Sequence, residues 1–449
     1  MSRIFCLLIL LWVLTTGNCF SQGNFTAQSD SLLNYLYANN RFSGSVMITK
    51  NDQVLYSKNM NVDGNSDPDY HIGSISKMFT AVMIYQLVEE GKLALDQHLS
   101  NWFPEIPNAD AITLQQLLGH QSGIFDLIND DGFSAIRTDT FSRSDIITYI
   151  AAHKPAFKPG TSTAYSNSNY LLLGYILEEI TQNTFANALQ TCITGPLHLE
   201  HTELQTADNT GAPHDPCFSF NGESWDTVHT LTHPNFSFSA GAIVSTPEEM
   251  NRFITALFQN RLISPALLDT MCSLSTRSMG HGLFYAPMND HRGYGHTGHL
   301  DEYYSALVYF PDDSVSIALC LNGLNYDLNS ILAGIMSYYF DLPYTFPQVN
   351  RMDMPDSTLQ VYDGIYRLKL FHLIPVTKVQ IQHAHGVLYT ATVKNFEAEK
   401  AIVEPIDTDR FKSYQTNAIL EFTHKKNGKV KGCYLVQGKT KLWCRKIRS

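Results

Sequence analysis

The sequence predicts an α/β (α+β) protein: an antiparallel sheet flanked by helices, with a helical subdomain and a small all-β domain at the C-terminus. Three observations predict it. Strand-like pairs lie at both ends of the first 340 residues, with apolar helical runs between them. From residue 360 only short alternating runs remain, separated by Gly, Asn and Lys turns. The charge changes where the pattern does: residues 22–359 carry 14 Lys+Arg against 35 Asp+Glu, and residues 360–449 carry 16 against 7.

Length and composition set the bounds. A chain of 449 residues, 44% hydrophobic and 16% charged, buries a large core and has room for two domains. A formal net charge of −11 argues against a general nucleic-acid binder. Eight cysteines are too few for a disulfide scaffold in so long a chain.

Arg3 precedes the apolar run Ile4–Leu14, and small and polar residues follow to Ser21, the pattern of an export signal over residues 1–21. The run is shorter than the ~20 apolar residues of a spanning helix. No later segment is apolar enough to span, so a soluble exported protein, periplasmic or secreted, is expected. Ser31–Ala38 reads as a helix, and Gly44–Lys50 with Gln53–Asn59 as a hairpin about Asn51–Asp52. Ser76–Glu90 is an apolar helix stopped by Gly91, and Tyr170–Thr181 is a second. Ala306–Asn322 reads as two strands joined at Pro311–Asp313, and a helix is expected over 327–340.

The proline-bearing stretch 346–359 is the expected linker between a first domain, 22–345, and a second, 360–449. The second reads as a small barrel or sandwich. It is first of all a packing module with a solvated basic face, and shaping the site, mediating dimers or binding an anionic wall polymer are its other uses. Cys433 and Cys444 flank a two-residue turn at Gly438–Lys439, opposite one another, either as a disulfide or as two small apolar residues.

Three short patterns carry chemistry. In Ser74–Ile75–Ser76–Lys77 the lysine lies one turn after the serine, at the start of a helix whose N-terminus favours developing negative charge. A serine hydroxyl needs a neighbour to take its proton, and a buried lysine with a lowered pKa can do so. In Tyr165–Ser166–Asn167 the phenol is expected to deprotonate readily beside a cation and relay a proton, and the amide to hold lysine and substrate. In His296–Thr297–Gly298 a small hydroxyl residue and a glycine let a substrate lie against a strand edge.

In this order and spacing the patterns resemble the serine beta-lactamase and penicillin-binding protein superfamily, nearest to class C beta-lactamase-related hydrolases. That group includes D-alanyl-D-alanine carboxypeptidases, D-aminopeptidases and esterases. The resemblance covers residues 30–342, through HIGSISKMFTA, ITLQQLLGHQSGI, FKPGTSTAYSNSNYLLLGYILEEIT, SAGAIVSTPEEM and YGHTGHLDEYYSALVYFPD. It implies a beta-lactamase-like fold and cleavage of an amide or ester in a small-molecule or peptide substrate, cell-wall peptide among them, without cofactor or metal. It also implies Ser74 as the acylated nucleophile, Lys77 as its activator, Tyr165 as proton relay, and Asn167 as the group positioning Lys77 and substrate. His296 stands where many members have lysine. The resemblance further implies that the N–H groups of Ser74 and His299 form the oxyanion hole, beside Thr297 and Gly298, and His120 is expected to be structural. His299 and Glu302 replace glycines common in the family, so a bulkier and more charged pocket edge is expected, unlike that of a beta-lactamase. Two other readings are a beta-lactamase and a non-catalytic penicillin-binding-like sensor. A metal site at His281, His291, His296, His299, Asp301 and Glu302 has no supporting motif spacing.

Overall fold

The computed structural model describes residues 24–448, apart from residues 67, 131, 207–215, 276–277, 371–373 and 395–399. The expected export segment, 1–21, lies outside the described residues. No helix among the described residues is long and apolar enough to cross a membrane. The chain forms two compact units, one of residues 43–220 and 225–324, the other of residues 1–42, 221–224 and 325–449.

Helix α1 (residues 24–38) belongs to the second unit, and strands β1 (Phe42–Lys50) and β2 (Gln53–Met60) open the first. Lys50 pairs with Gln53, so the turn is Asn51–Asp52, and both residues have positive φ (49° and 62°). That is the backbone of a type I′ turn, which matches strand twist, and Asn and Asp tolerate it best after Gly. The first unit continues with helices α2 (Ser76–Glu89), α3 (Asn167–Thr181) and α4 (Pro234–Gly241). Strands β3 (Phe284–Tyr285), β4 (Tyr294–Leu300), β5 (Tyr303–Phe310) and β6 (Val315–Leu324) complete its sheet, in the order β2-β1-β6-β5-β4-β3.

Helix α2 is apolar almost all round: ten consecutive residues, Ser76 to Tyr85, are buried. A helix without a polar face belongs at a domain centre, so its serine–lysine end is held rigidly. Helix α3 begins at Asn167, three residues before the expected start. Its polar first turn is fully engaged. Leu127 N–H donates to Ser168 Oγ (3.1 Å), and Asn169 Oδ1 accepts from Ser122 Oγ (2.6 Å).

In the second unit, helix α5 (Leu328–Tyr339) precedes a closed barrel of eight antiparallel strands. They are β7 (Gly364–Leu370), β8 (Ile374–Ala384), β9 (Val387–Thr392), β10 (Ala401–Asp407), β11 (Arg410–Lys412), β12 (Ile419–His424), β13 (Val430–Gln437) and β14 (Thr440–Arg448). Closure removes the free edges a sandwich would leave. Tyr362, Tyr366, Phe411 and Phe422 fill the interior. Gln437 pairs with Thr440 across the Gly438–Lys439 turn, and Cys433 pairs with Cys444. Both cysteines are buried free thiols, as are Cys217 and Cys320, while Cys192 and Cys272 are half-buried.

A buried ion pair ties this unit together. Arg41 and Glu404 meet through both guanidinium nitrogens, and Asn325 Nδ2 donates to the same carboxylate (2.9 Å). The two side chains are 3% and 1% exposed, and the guanidinium carbon lies 4.2 Å from the Tyr414 ring centroid. Removing one partner strands a buried charge, at a cost of about 3–5 kcal/mol. Glu404→Ala is therefore expected to lower the denaturation midpoint strongly, and Arg41→Met with Glu404→Leu to recover much of the loss. A urea titration in which the single variant unfolds like the parent would contradict this.

Candidate active site

The expected residues meet at the N-terminus of α2. A short 3-10 turn, Gly73–Ile75, runs directly into the helix, placing half-buried Ser74 at its end. One turn on, the fully buried Lys77 Nζ donates to Ser74 Oγ (2.9 Å), Asn167 Oδ1 (2.8 Å) and the Ala240 carbonyl (2.6 Å). Two of these acceptors cannot donate in return. When Lys77 is neutral its two N–H bonds stay on Asn167 and Ala240, and the lone pair faces the Ser74 hydroxyl. Burial pushes the amine down to about 7, although the Asp126 charge works against the shift.

Each of those acceptors is itself fixed. Asn167 donates to Asp126 from its backbone (2.9 Å) and from Nδ2 (3.2 Å to each carboxylate oxygen), turning Oδ1 towards Lys77. Burial raises the Asp126 carboxyl, and the Asn167 donors oppose that shift. The Ala240 carbonyl is set by its neighbour Ser239, whose carbonyl accepts from Thr80 Oγ1 (2.6 Å) and whose hydroxyl donates to Tyr170 O (2.7 Å). Gly174 leaves the room: a Cβ there would lie 2.1 Å from Ser239 Oγ. The sequence reasoning missed Asp126 and the Ala240 carbonyl. The available signal for Asp126 was its position just after HQSG, and a backbone carbonyl carries none.

Tyr165 stands on the other side of Ser74. Its hydroxyl is buried without a hydrogen-bond partner. Burial dominates and pushes the phenol well above its usual value, with the Ser74 side chain working against that shift without completing a hydrogen bond of ordinary geometry. The expectation of a readily deprotonated tyrosine is therefore not met. Lys77 lies over the Tyr165 ring face, 5.0 Å from the centroid, rather than beside its oxygen. The His120 ring packs on Tyr165 at 4.4 Å, and its Nδ1 accepts from Ser166 N–H and Asn169 Nδ2 (both 3.2 Å). With that nitrogen an acceptor and the ring buried, His120 is neutral, as a structural histidine should be.

Strand β4 supplies the third wall. Gly298 and Gly73 let it approach the turn before Ser74: a Cβ on Gly298 would lie 1.9 Å from the Ile72 carbonyl, and one on Gly73 2.6 Å from the His299 nitrogen. Ser305 Oγ also donates to the Ile72 carbonyl (2.8 Å), closing the contact from β5. The backbone at His299 is thereby held beside the turn that carries Ser74, and the Thr297 side chain is exposed on the strand. His296 Nδ1–H donates to the Thr297 carbonyl, and its ring packs between Phe284 (4.6 Å) and Tyr165 (6.1 Å). Burial, then the Lys77 charge, push its pKa to about 3, so it is a neutral imidazole and not a cation.

The pocket edge is less charged than expected. The His299 ring stacks on Tyr304 (4.4 Å), and its Nε2–H donates to the Asp301 carbonyl (2.7 Å). Asp301 is neutralised by Arg137 Nη1 (2.6 Å), and Thr232 donates to it from its backbone and hydroxyl (both 2.9 Å). Burial pushes the Glu302 carboxyl up to about 7. The remaining histidines of the cluster are engaged separately, His281 with the Tyr85 hydroxyl and His291 with Asp313 (2.9 Å). No His, Cys, Asp or Glu group among the described residues is arranged to hold a metal.

A sheet flanked by helices, with serine and lysine at a helix start, a facing tyrosine and a strand edge alongside, defines a beta-lactamase-like protein. The beta-lactamase family matches residues 29–331, and the chain belongs to that family. A Bacillus subtilis relative named as a penicillin-binding protein, PbpX, is 30% identical over 256 residues, 55% of this chain and 63% of its own. A crystal structure of a D-stereospecific amidohydrolase from Streptomyces sp. is similar over 70% of this chain and 98% of its own, with a TM-score of 0.59 and 25% identity. The octameric penicillin-binding protein homologue from Pyrococcus abyssi covers 93% of this chain and 99% of its own, with a TM-score of 0.63 at 20% identity, and so shares the fold through the C-terminal barrel.

Proposed function

We propose that the protein is an exported serine hydrolase that cleaves a small amide or ester next to a D-configured centre through an acyl-Ser74 intermediate. The observation that carries the reading is the Lys77 amine, buried, lowered to about 7 and aimed at Ser74 Oγ by two fixed acceptors. Neutral Lys77 takes the Ser74 proton as Oγ attacks the carbonyl carbon. The N–H groups of Ser74 and His299 receive the oxyanion, an arrangement worth about 3–4 kcal/mol per donor. Neutral Tyr165, with its proton uncommitted, donates it to the departing amine or alkoxide and is reprotonated at the expense of the Lys77 ammonium, which becomes neutral again. A water then attacks the acyl carbon and gives a proton to Lys77, and Ser74 Oγ leaves with that proton as the acyl group departs as an acid.

The charge of the site favours an acyl donor without a carboxylate. His296 is neutral, and the Arg137 cation is taken by Asp301. This supports amidase or esterase chemistry over recognition of a penicillin or a peptide C-terminus. The amidohydrolase likeness supports a D-centre. The test is hydrolysis of D- and L-alanine para-nitroanilide against nitrocefin. Turnover of the D-anilide in clear preference to the other two is expected. Nitrocefin turned over faster than either anilide would overturn the amidase reading in favour of a beta-lactamase.

A further inference from the structure

The outer face of the barrel carries more positive charge than folding explains. Lys378 on β8 pairs with Arg367 on β7, and Arg367 pairs with Arg445 on β14, so three cations stand side by side across three strands. Strands lie about 4.8 Å apart, and like charges directly opposite destabilise a sheet. All three are exposed, as is Lys431 on β13. Nearby acids are committed elsewhere: Glu421 to Lys441 (2.9 Å) and Arg410 (3.5 Å), Asp409 to His424 (2.7 Å), and Asp363 to His383 (2.7 Å). Among the described residues none of Lys378, Arg367, Arg445 and Lys431 has a carboxylate partner.

An aromatic platform lies on the same face. Cys444 points into the barrel, so its neighbours Trp443 and Arg445 point out, and Trp443 is only half-buried. Its indole lies across Gly432, where a Cβ would sit 2.8 Å from two of its ring carbons. Tyr434, opposite on β13, packs against it with ring centroids 4.9 Å apart. Lys431 Nζ is 5.8 Å from the Trp443 ring centroid, and Lys441 Nζ is 4.5 Å from that of Tyr434. A flat, half-exposed ring stacks on the C–H face of a sugar, and cations around it pair with acidic substituents.

The geometry points to an anionic polysaccharide as the ligand of this face, with sugar rings on Trp443 and acidic groups on Lys378, Arg367, Arg445 and Lys431. The surface belongs to the unit that does not carry Ser74, and the inference stands whether or not the hydrolase reading does. The test uses the full chain titrated with dextran sulfate, neutral dextran and a single-stranded DNA of equal charge, followed by tryptophan fluorescence and by sedimentation. Dextran sulfate alone is expected to bind tightly, with affinity falling at least about tenfold between about 50 and about 200 mM salt. Arg367→Ser with Arg445→Ser is expected to weaken it at least tenfold, and Trp443→Ala to weaken it and abolish the fluorescence change. Thermal midpoints matched to the parent will show that these variants fold. Equal binding of neutral dextran, tighter binding of DNA, undiminished binding in folded variants, or no binding would each overturn the inference.

Discussion

Ser74→Ala is expected to lower hydrolysis of any substrate of this enzyme by at least about 10⁴-fold while leaving the fold intact. In the proposed mechanism the variant removes the oxygen on which the acyl group is carried. It removes little else. Ser74 is half-buried, and its hydroxyl accepts from Lys77, which keeps its bonds to Asn167 and Ala240. Its thermal midpoint should stay within about a degree or two of the parent's, as for a change losing one partly exposed hydrogen bond. A folded variant that retains the parent rate would remove Ser74 from the mechanism.

Lys77→Met should cost about 10²–10⁴-fold in kcat/KM, the range of a general base. Methionine keeps most of the stem volume in a helix whose surroundings are full. It also leaves the Asn167 amide oxygen and the Ala240 carbonyl without their donor, so some loss of stability accompanies the loss of rate. The pH profile separates the two effects. The amine is lowered from 10.5 to about 7 and works as a base only when neutral, so parent kcat/KM should rise with pH and level off above about 7. The variant should lose that limb. The stability linkage has the same direction. Between about 7 and 10.5 the unfolded chain binds the Lys77 proton and the folded chain does not, so the parent gains stability relative to the variant as pH rises through that window. A parent profile flat from pH 5 to 8 (about two units below the amine's value to one above it) would argue against the base.

The parts legible in the sequence were those that short-range spacing dictates. A serine and a lysine three apart on an apolar helix meet because the helix turns in 3.6 residues, and the structure brings them to 2.9 Å. The Asn51–Asp52 turn and the Cys433–Cys444 register followed from two-residue loops. Barrel and sandwich could not be separated, because both use the same alternation and only the β7–β14 pairing closes the ring. The start of α3 was placed late because Asn167, Ser168 and Asn169 look like a loop until their partners on distant segments are known. The Ala240 carbonyl has no sequence signature at all, since every residue has one. The Tyr165 reading failed on burial: its neighbours in sequence, Ala164 and Ser166, are small, and the rings of His120 and Phe284 that pack beside it come from elsewhere.

The most direct test is an intact-mass measurement on the full chain, quenched in acid during turnover of a D-amino acid ester. The account predicts a population heavier by one aminoacyl group, mapping to the peptide that contains Ser74 and absent from Ser74→Ala. An adduct on another residue, or steady turnover by a folded Ser74→Ala protein, would contradict it.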